Sequence, residues 1–273
     1  MQQLPEDKNE QQANGENDIS KTASFKKLDL ENNSGELPKS FHLSAKVMMQ
    51  YLLGITLFLL VLHIISLYLE RSLPEVSKIR NLSVKYFNLG LEANFPTYFS
   101  SLLLLLAAAI IFIIYKSKRQ EKNGRHLRNW RLLSFIFLFL SADEAVQIHE
   151  HLMGVMHYLI SDIPDLLVSA WIIPYALLFI GIAVYFMRFI HHLPGRTRRL
   201  FMISCAVYVF GALGFELLES YFYMNYEEDH LYIWLIHTGQ ELLEIFGIII
   251  FIYALLDYLS FYYKQMLLTI GSK

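Results

Sequence analysis

The chain is 273 residues long and 55% hydrophobic, with a mean hydropathy of +0.36 and a formal net charge of −2. Apolar runs of ~20 residues recur, which excludes a soluble globular domain and points to an integral membrane protein. The single cysteine, Cys205, excludes an intrachain disulfide and a cysteine-built metal knuckle, and no nucleic-acid partner is expected.

Residues 1–46 are rich in Gln, Asn, Glu, Asp, Lys and Ser. Such a segment buries too little apolar surface to offset the entropy of ordering, so a disordered tail is expected. The membrane domain, 47–263, follows with six predicted spans at 47–69, 97–115, 130–154, 170–189, 200–224 and 232–259. The first run lacks a small-residue cleavage site and reads as a retained anchor. The loop 70–96 is long enough for a short helix. The segment 155–169 reads as an outer loop or interfacial half-helix, and residues 264–273 form a short C-terminal tail. The expected fold is therefore all-α, a polytopic bundle of about six helices.

Basic residues set the expected orientation. The second loop carries Lys116, Lys118, Arg119, Lys122, Arg125, Arg128 and Arg131, and the fourth carries Arg188, Arg196, Arg198 and Arg199. The third and fifth loops carry only acids, such as Asp162, Asp165, Glu227, Glu228 and Asp229. The positive-inside rule places the basic loops and both termini in the cytoplasm.

The third span contains SADEAVQIHEH, residues 141–151. A charged side chain at mid-bilayer costs roughly 2.5–3.5 kcal/mol even on the most lenient scale, so Asp143 and Glu144 require partners, protons or a cation. The fifth span adds Glu216 and Glu219, and the sixth adds His237, Glu241 and Glu244. At 1.5 Å rise per residue, the three sets together lie between about 12 and about 30 Å above the cytoplasmic face, from the bilayer middle to the outer surface. At about 100° per residue, Asp143, Glu144, Gln147, Glu150 and His151 share one stripe of a straight helix, and His149 points elsewhere. His237, Gln240, Glu241 and Glu244 share another stripe, and Glu216, Glu219, Ser220 and Tyr223 a third. Gly211 and Gly214, below Glu216, would let a neighbouring helix approach.

These stripes hold seven carboxylates (Asp143, Glu144, Glu150, Glu216, Glu219, Glu241, Glu244) and no Lys or Arg. Like charges crowded in low dielectric demand protonation or a cation. Carboxylate with imidazole suits Mn, Fe or Zn, and helix bundles build such sites from inward-facing Glu and His. The expected metal ligands are Glu144, Glu216, His237 and Glu241. Asp143, Glu244 and His151 are the expected further ligands or general bases. The spacings match no established metal fingerprint, and plainer readings compete. Glu150, His151 and Glu219 fit a headgroup region, the deeper acids fit a protonated network joining helices, and His63 fits a structural role.

The line LSADEAVQIHEH, followed by a Gly-x-Glu span and a Gln-Glu-x-x-Glu span, resembles uncharacterised bacterial multipass membrane proteins. The resemblance covers roughly 130–260, through Asp143, Glu144, His149, Glu150, Glu216, Glu241 and Glu244. It implies the architecture, with a bacterial inner membrane as the expected location, and no activity. If His149 belongs to the shared pattern, a local distortion of the third span must turn it inward.

The leading expectation is a metal-dependent membrane enzyme acting on a lipid or other apolar substrate. The alternatives are a proton or divalent-cation transporter using the same carboxylates and a non-catalytic scaffold.

Overall fold

The computed structural model describes residues 44–121, 126–159, 172–225 and 231–262, and every regular element among them is helical. The expectations for tail residues 1–43, for Asp162 and Asp165, for Glu227 to Asp229 and for the C-terminal tail lie outside the described residues, as does the side chain of Glu150.

Helix α1 is Ala45–Ser72, α2 Lys78–Phe87, α3 Phe95–Gln120, α4 Leu127–Val146 and α5 Ile148–Leu159. Helix α6 is Ile172–His191 and α7 is Gly195–Val209. A π-helical turn, Phe210–Phe215, joins α7 to α8, Glu216–Asn225, and the last described helix is α9, Leu231–Tyr262. Among the described residues five stretches are long and apolar enough to cross a membrane: α1, α3, α6, Gly195–Phe222 and Tyr232–Tyr262. Helix α4, charged near both ends by Arg128, Arg131, Asp143 and Glu144, completes the bundle. The protein is an integral, multi-pass membrane protein.

Helix α9 is the hub, packing on α1, α3, α7, α8 and the π turn. Its buried face, Ile245, Ile249, Ile252 and Leu255, meets Leu104, Ala107, Ile111 and Ile114 of α3, with Trp130 of α4 in the same core. Between helices in lipid there is little hydrophobic driving force, so close packing and hydrogen bonds must hold the interface. Helices α3 and α4 do this through serine. Ser101 Oγ donates to the Ser141 carbonyl at 2.8 Å, and Ser141 Oγ donates back to the Ser101 carbonyl at 2.9 Å. Ser134 Oγ donates to the Ala108 carbonyl at 2.9 Å.

Helices α7 and α9 meet at Gly247. A Cβ there would lie 2.8 Å from Tyr208 Cβ and 2.9 Å from Tyr208 Cα and N, so the two backbones touch. Ser204 Oγ closes the same contact by donating to the Gly247 carbonyl at 2.8 Å. Gly211 has the role expected of it, with a Cβ position 3.0 Å from Leu243 Cβ and 3.1 Å from Glu244 Cγ. Gly214 does not: the nearest atoms belong to Phe210 within its own π turn.

Helix α6 keeps its backbone away from the hub and approaches the bundle chiefly at α7. At one end it is tied in by aromatic rings, with Phe189 edge-on to Trp130 at 5.0 Å. The space this leaves between α4, α6, α7, α8 and α9 is the cavity described next.

Candidate functional site: an acid-lined cavity in the bundle

The third span is not one straight helix. Gln147 takes left-handed backbone angles, φ 60° and ψ 45°, and separates α4 from α5. Asp143 spans the break: its Oδ1 accepts the His149 backbone N–H at 2.9 Å, capping the start of α5. The kink reverses two expectations drawn from a straight helix. It turns His149 inward, where its Nδ1 lies 3.4 Å from Asp143 Oδ1 and its Nε2 lies 3.2 Å from Glu92 Oε1. It turns His151 outward, where the exposed ring bonds the Gln147 carbonyl at 2.7 Å. Asp143 is buried and doubly occupied, because Tyr175 Oη donates to its Oδ2 at 2.9 Å. Asp143 therefore orients His149 and has no carboxylate oxygen left over.

Glu92 is a site residue that the periodicity of the spans does not reach. It sits in the loop between α2 and α3, which two buried asparagines hold in shape. Asn88 Oδ1 accepts from Gly90 N–H at 2.9 Å, and Asn94 donates to the carbonyls of Asn88 and Leu91, both at 2.6 Å. Asn94 also caps α3, accepting from Thr97 N–H at 3.1 Å. His63 of α1 anchors the loop. Its Nδ1 accepts from Leu89 N–H at 3.0 Å, so the proton is on Nε2, which donates to Thr238 Oγ1 at 2.9 Å. His63 is structural, and both its nitrogens are used. The available signal for Glu92 is the Asn-Leu-Gly-Leu-Glu-Ala-Asn turn immediately before a span. Tyr175 has no sequence signal beyond one aromatic ring among many.

The π turn sets the second wall. An extra residue in one turn shifts the register of everything after it, and such bulges recur at functional sites. Glu216 follows it directly and accepts from Gln240 Nε2 at 3.2 Å. One turn further, Glu219 Oε2 lies 3.3 Å from His237 Nδ1. Helix α9 supplies Gln240, His237, Glu241 and Glu244.

These groups line one cavity of about 1230 Å³. Glu92, Asp143, Glu144, His149, Glu216, Glu219, His237, Glu241 and Glu244 all contribute to it, and His151 does not. Glu144 and Glu241 lie within electrostatic reach of each other and of Glu92 and His149. Among the described residues neither Glu144 nor Glu241 has a hydrogen-bond partner. Glu92 Oε2 and Gln240 Oε1 are cut off from solvent and likewise unpartnered. Beyond this acid end the walls become aromatic and aliphatic, with Phe137, Leu140, Phe179, Phe186 and Phe251. At the far mouth stand His191, Arg198 and Arg199. Of the expected metal ligands, Glu144, Glu216, His237 and Glu241 thus share a cavity. Among the described residues no three His, Cys, Asp or Glu side chains are placed to hold one ion.

One family model matches, described as a domain of unknown function (DUF8692), over residues 52–259. The chain belongs to the DUF8692 family. The DUF8692 region begins within α1 and ends near the close of α9, so it contains every residue of the cavity wall named above. No match was found among curated proteins or among solved structures.

Proposed function

We propose that the protein is a membrane-embedded enzyme that takes a lipid-like or other apolar substrate into the bundle cavity and moves a proton on it at the acid end. The observation that carries this reading is the division of the cavity. Its walls are mostly apolar, and its polar groups are gathered at one end, where the His149 imidazole is held between Asp143 and Glu92. With both ring nitrogens on carboxylates, His149 holds that end in shape, and a carboxyl group facing the cavity serves as general acid or base. Glu144, Glu241 and Glu244 face the space where a reacting group would sit, and the thinly packed α6 offers a sideways route from the bilayer. The distribution of Lys and Arg supports cytoplasmic termini by the positive-inside rule, and the resemblance to bacterial multipass proteins supports a bacterial inner membrane.

The test is untargeted mass spectrometry of lipid extracts after incubating proteoliposomes of purified protein with bacterial total lipids. A product formed by wild type and lost in His149→Gln is expected. Identical lipid profiles for wild type, His149→Gln and empty liposomes would overturn the proposal.

Transport is a second reading with its own support, because the cavity continues past the aromatic walls to Arg198 and Arg199 at the other end. Proteoliposome flux of protons or divalent cations, lost in Glu144→Gln and Glu241→Gln, would establish it in place of the enzyme.

A further inference from the structure

The charges around the cavity are distributed unevenly. Its acid end holds seven carboxylates (Glu92, Asp143, Glu144, Glu216, Glu219, Glu241, Glu244) and two imidazoles, His149 and His237. Arg198 and Arg199 belong to the first turn of α7, 17 residues or more before Glu216 on a continuous helical path, which is about 25 Å away at 1.5 Å per residue. Arg199 is exposed to solvent, so the basic rim does little to neutralise the acids.

A small ion does not answer this arrangement well. A divalent metal needs several donors converging at about 2 Å, and no three side chains among the described residues do so. The unused groups are instead spread over three elements: Glu92 Oε2 on the α2–α3 loop, Glu144 on α4, and Gln240 Oε1 and Glu241 on α9. Acceptors that surround a space without converging on a point suit a bulky organic cation, whose charge is shared over several atoms. Tyr175, whose hydroxyl donates to Asp143, and Phe139, one turn before Asp143 on α4, also line the cavity, and aromatic rings favour ammonium groups. Beyond them the apolar walls accept an alkyl chain.

Resting on the reading of the cavity as a substrate site, we propose that its ligand is an amine-bearing amphiphile. The ammonium head lies among Glu92, Glu144 and Glu241, and the alkyl chain runs along the aromatic walls toward the basic rim. The head supplies positive charge beyond what one imidazole between Asp143 and Glu92 offers to seven carboxylates. Its N–H or N–CH groups meet the acceptors left without partners.

Full-length protein in phosphatidylcholine nanodiscs, titrated calorimetrically with empty nanodiscs subtracted, tests this with three probes of equal chain length: decyltrimethylammonium, decanol and decyl sulfate. Saturable binding of decyltrimethylammonium, at least about tenfold tighter than decanol and with decyl sulfate weakest, is expected. Glu144→Gln and Glu241→Gln should each weaken the ammonium probe by about tenfold or more and leave decanol within about twofold. Glu75→Gln, exposed on the loop before α2, should change nothing. Decanol or decyl sulfate binding as tightly as the ammonium probe would overturn the proposal and leave the amphiphile cavity standing. No saturable binding of any probe would overturn both. The wild-type ranking of the three head groups decides the matter even where a variant fails to fold.

Discussion

The backbone N–H of His149 donates to the side chain of Asp143 across the kink at Gln147, at 2.9 Å. One carboxylate thus starts a new helix and positions the imidazole six residues ahead of it. Asp143→Ala should remove the cap and lower unfolding free energy by about 1–2 kcal/mol. Asp143→Asn keeps an acceptor and should lose less than half of that. Denaturant unfolding in detergent micelles measures both, and equal losses would show that charge, not the cap, is what matters.

Gln147 itself has positive φ without being glycine. A left-handed conformation costs about 1–2 kcal/mol for a residue with a Cβ. Gln147→Gly should therefore leave stability unchanged or raise it, and Gln147→Val should lower it by about that amount. A straight α4–α5 helix would produce the opposite order.

The contact at Gly247 admits no side chain, whereas a methyl group added to Gly54 on α1 would meet nothing within 4 Å. Gly247→Ala should destabilise by about 1–3 kcal/mol, the usual cost of overpacking. Gly54→Ala should be neutral or slightly stabilising, since alanine is the better helix former. Thermal melts of the two variants in the same detergent make the comparison.

The reciprocal bonds of Ser101 and Ser141 predict a measurable coupling. A double-mutant cycle to alanine should return about 0.6 kcal/mol and not more than about 1.7 kcal/mol, the range for hydrogen bonds between membrane helices. A coupling near zero would mean that shape alone holds α3 to α4.

Metal addition separates an organic cation from the ion expected of Glu144, Glu216, His237 and Glu241. With the carboxylates spread as described, Mn, Fe or Zn should leave the melting temperature of purified protein unchanged. A rise that disappears in Glu241→Gln would restore the metal centre, because ligand binding to the folded state raises stability.

Much of the bundle was legible in the chain because a bilayer imposes simple demands on sequence: length, apolarity and no unpaired charge. Those demands placed the spans, marked the third as anomalous, and singled out Glu144, Glu216, His237, Glu241 and Glu244 as groups that line a common space. They held for helices that are straight. Periodicity assigns faces by a constant 100° per residue, and both departures from that constant lie at the site. The break at Gln147 exchanged His149 for His151, and the π turn before Glu216 reset the fifth span. At the break the local cap of Asp143 is joined by partners distant in sequence, Tyr175 on Asp143 and Glu92 on His149, which no local pattern announces. Glu92 and Tyr175 reached the site in the same way, carried there by a loop tied to His63 and by a helix that stands away from the hub. The amino-acid sequence by itself determined that acids would lie inside the membrane, since no lipid-facing helix tolerates them. Only the tertiary structure decided which of them surround the imidazole, because that depends on where the backbone leaves the regular helix.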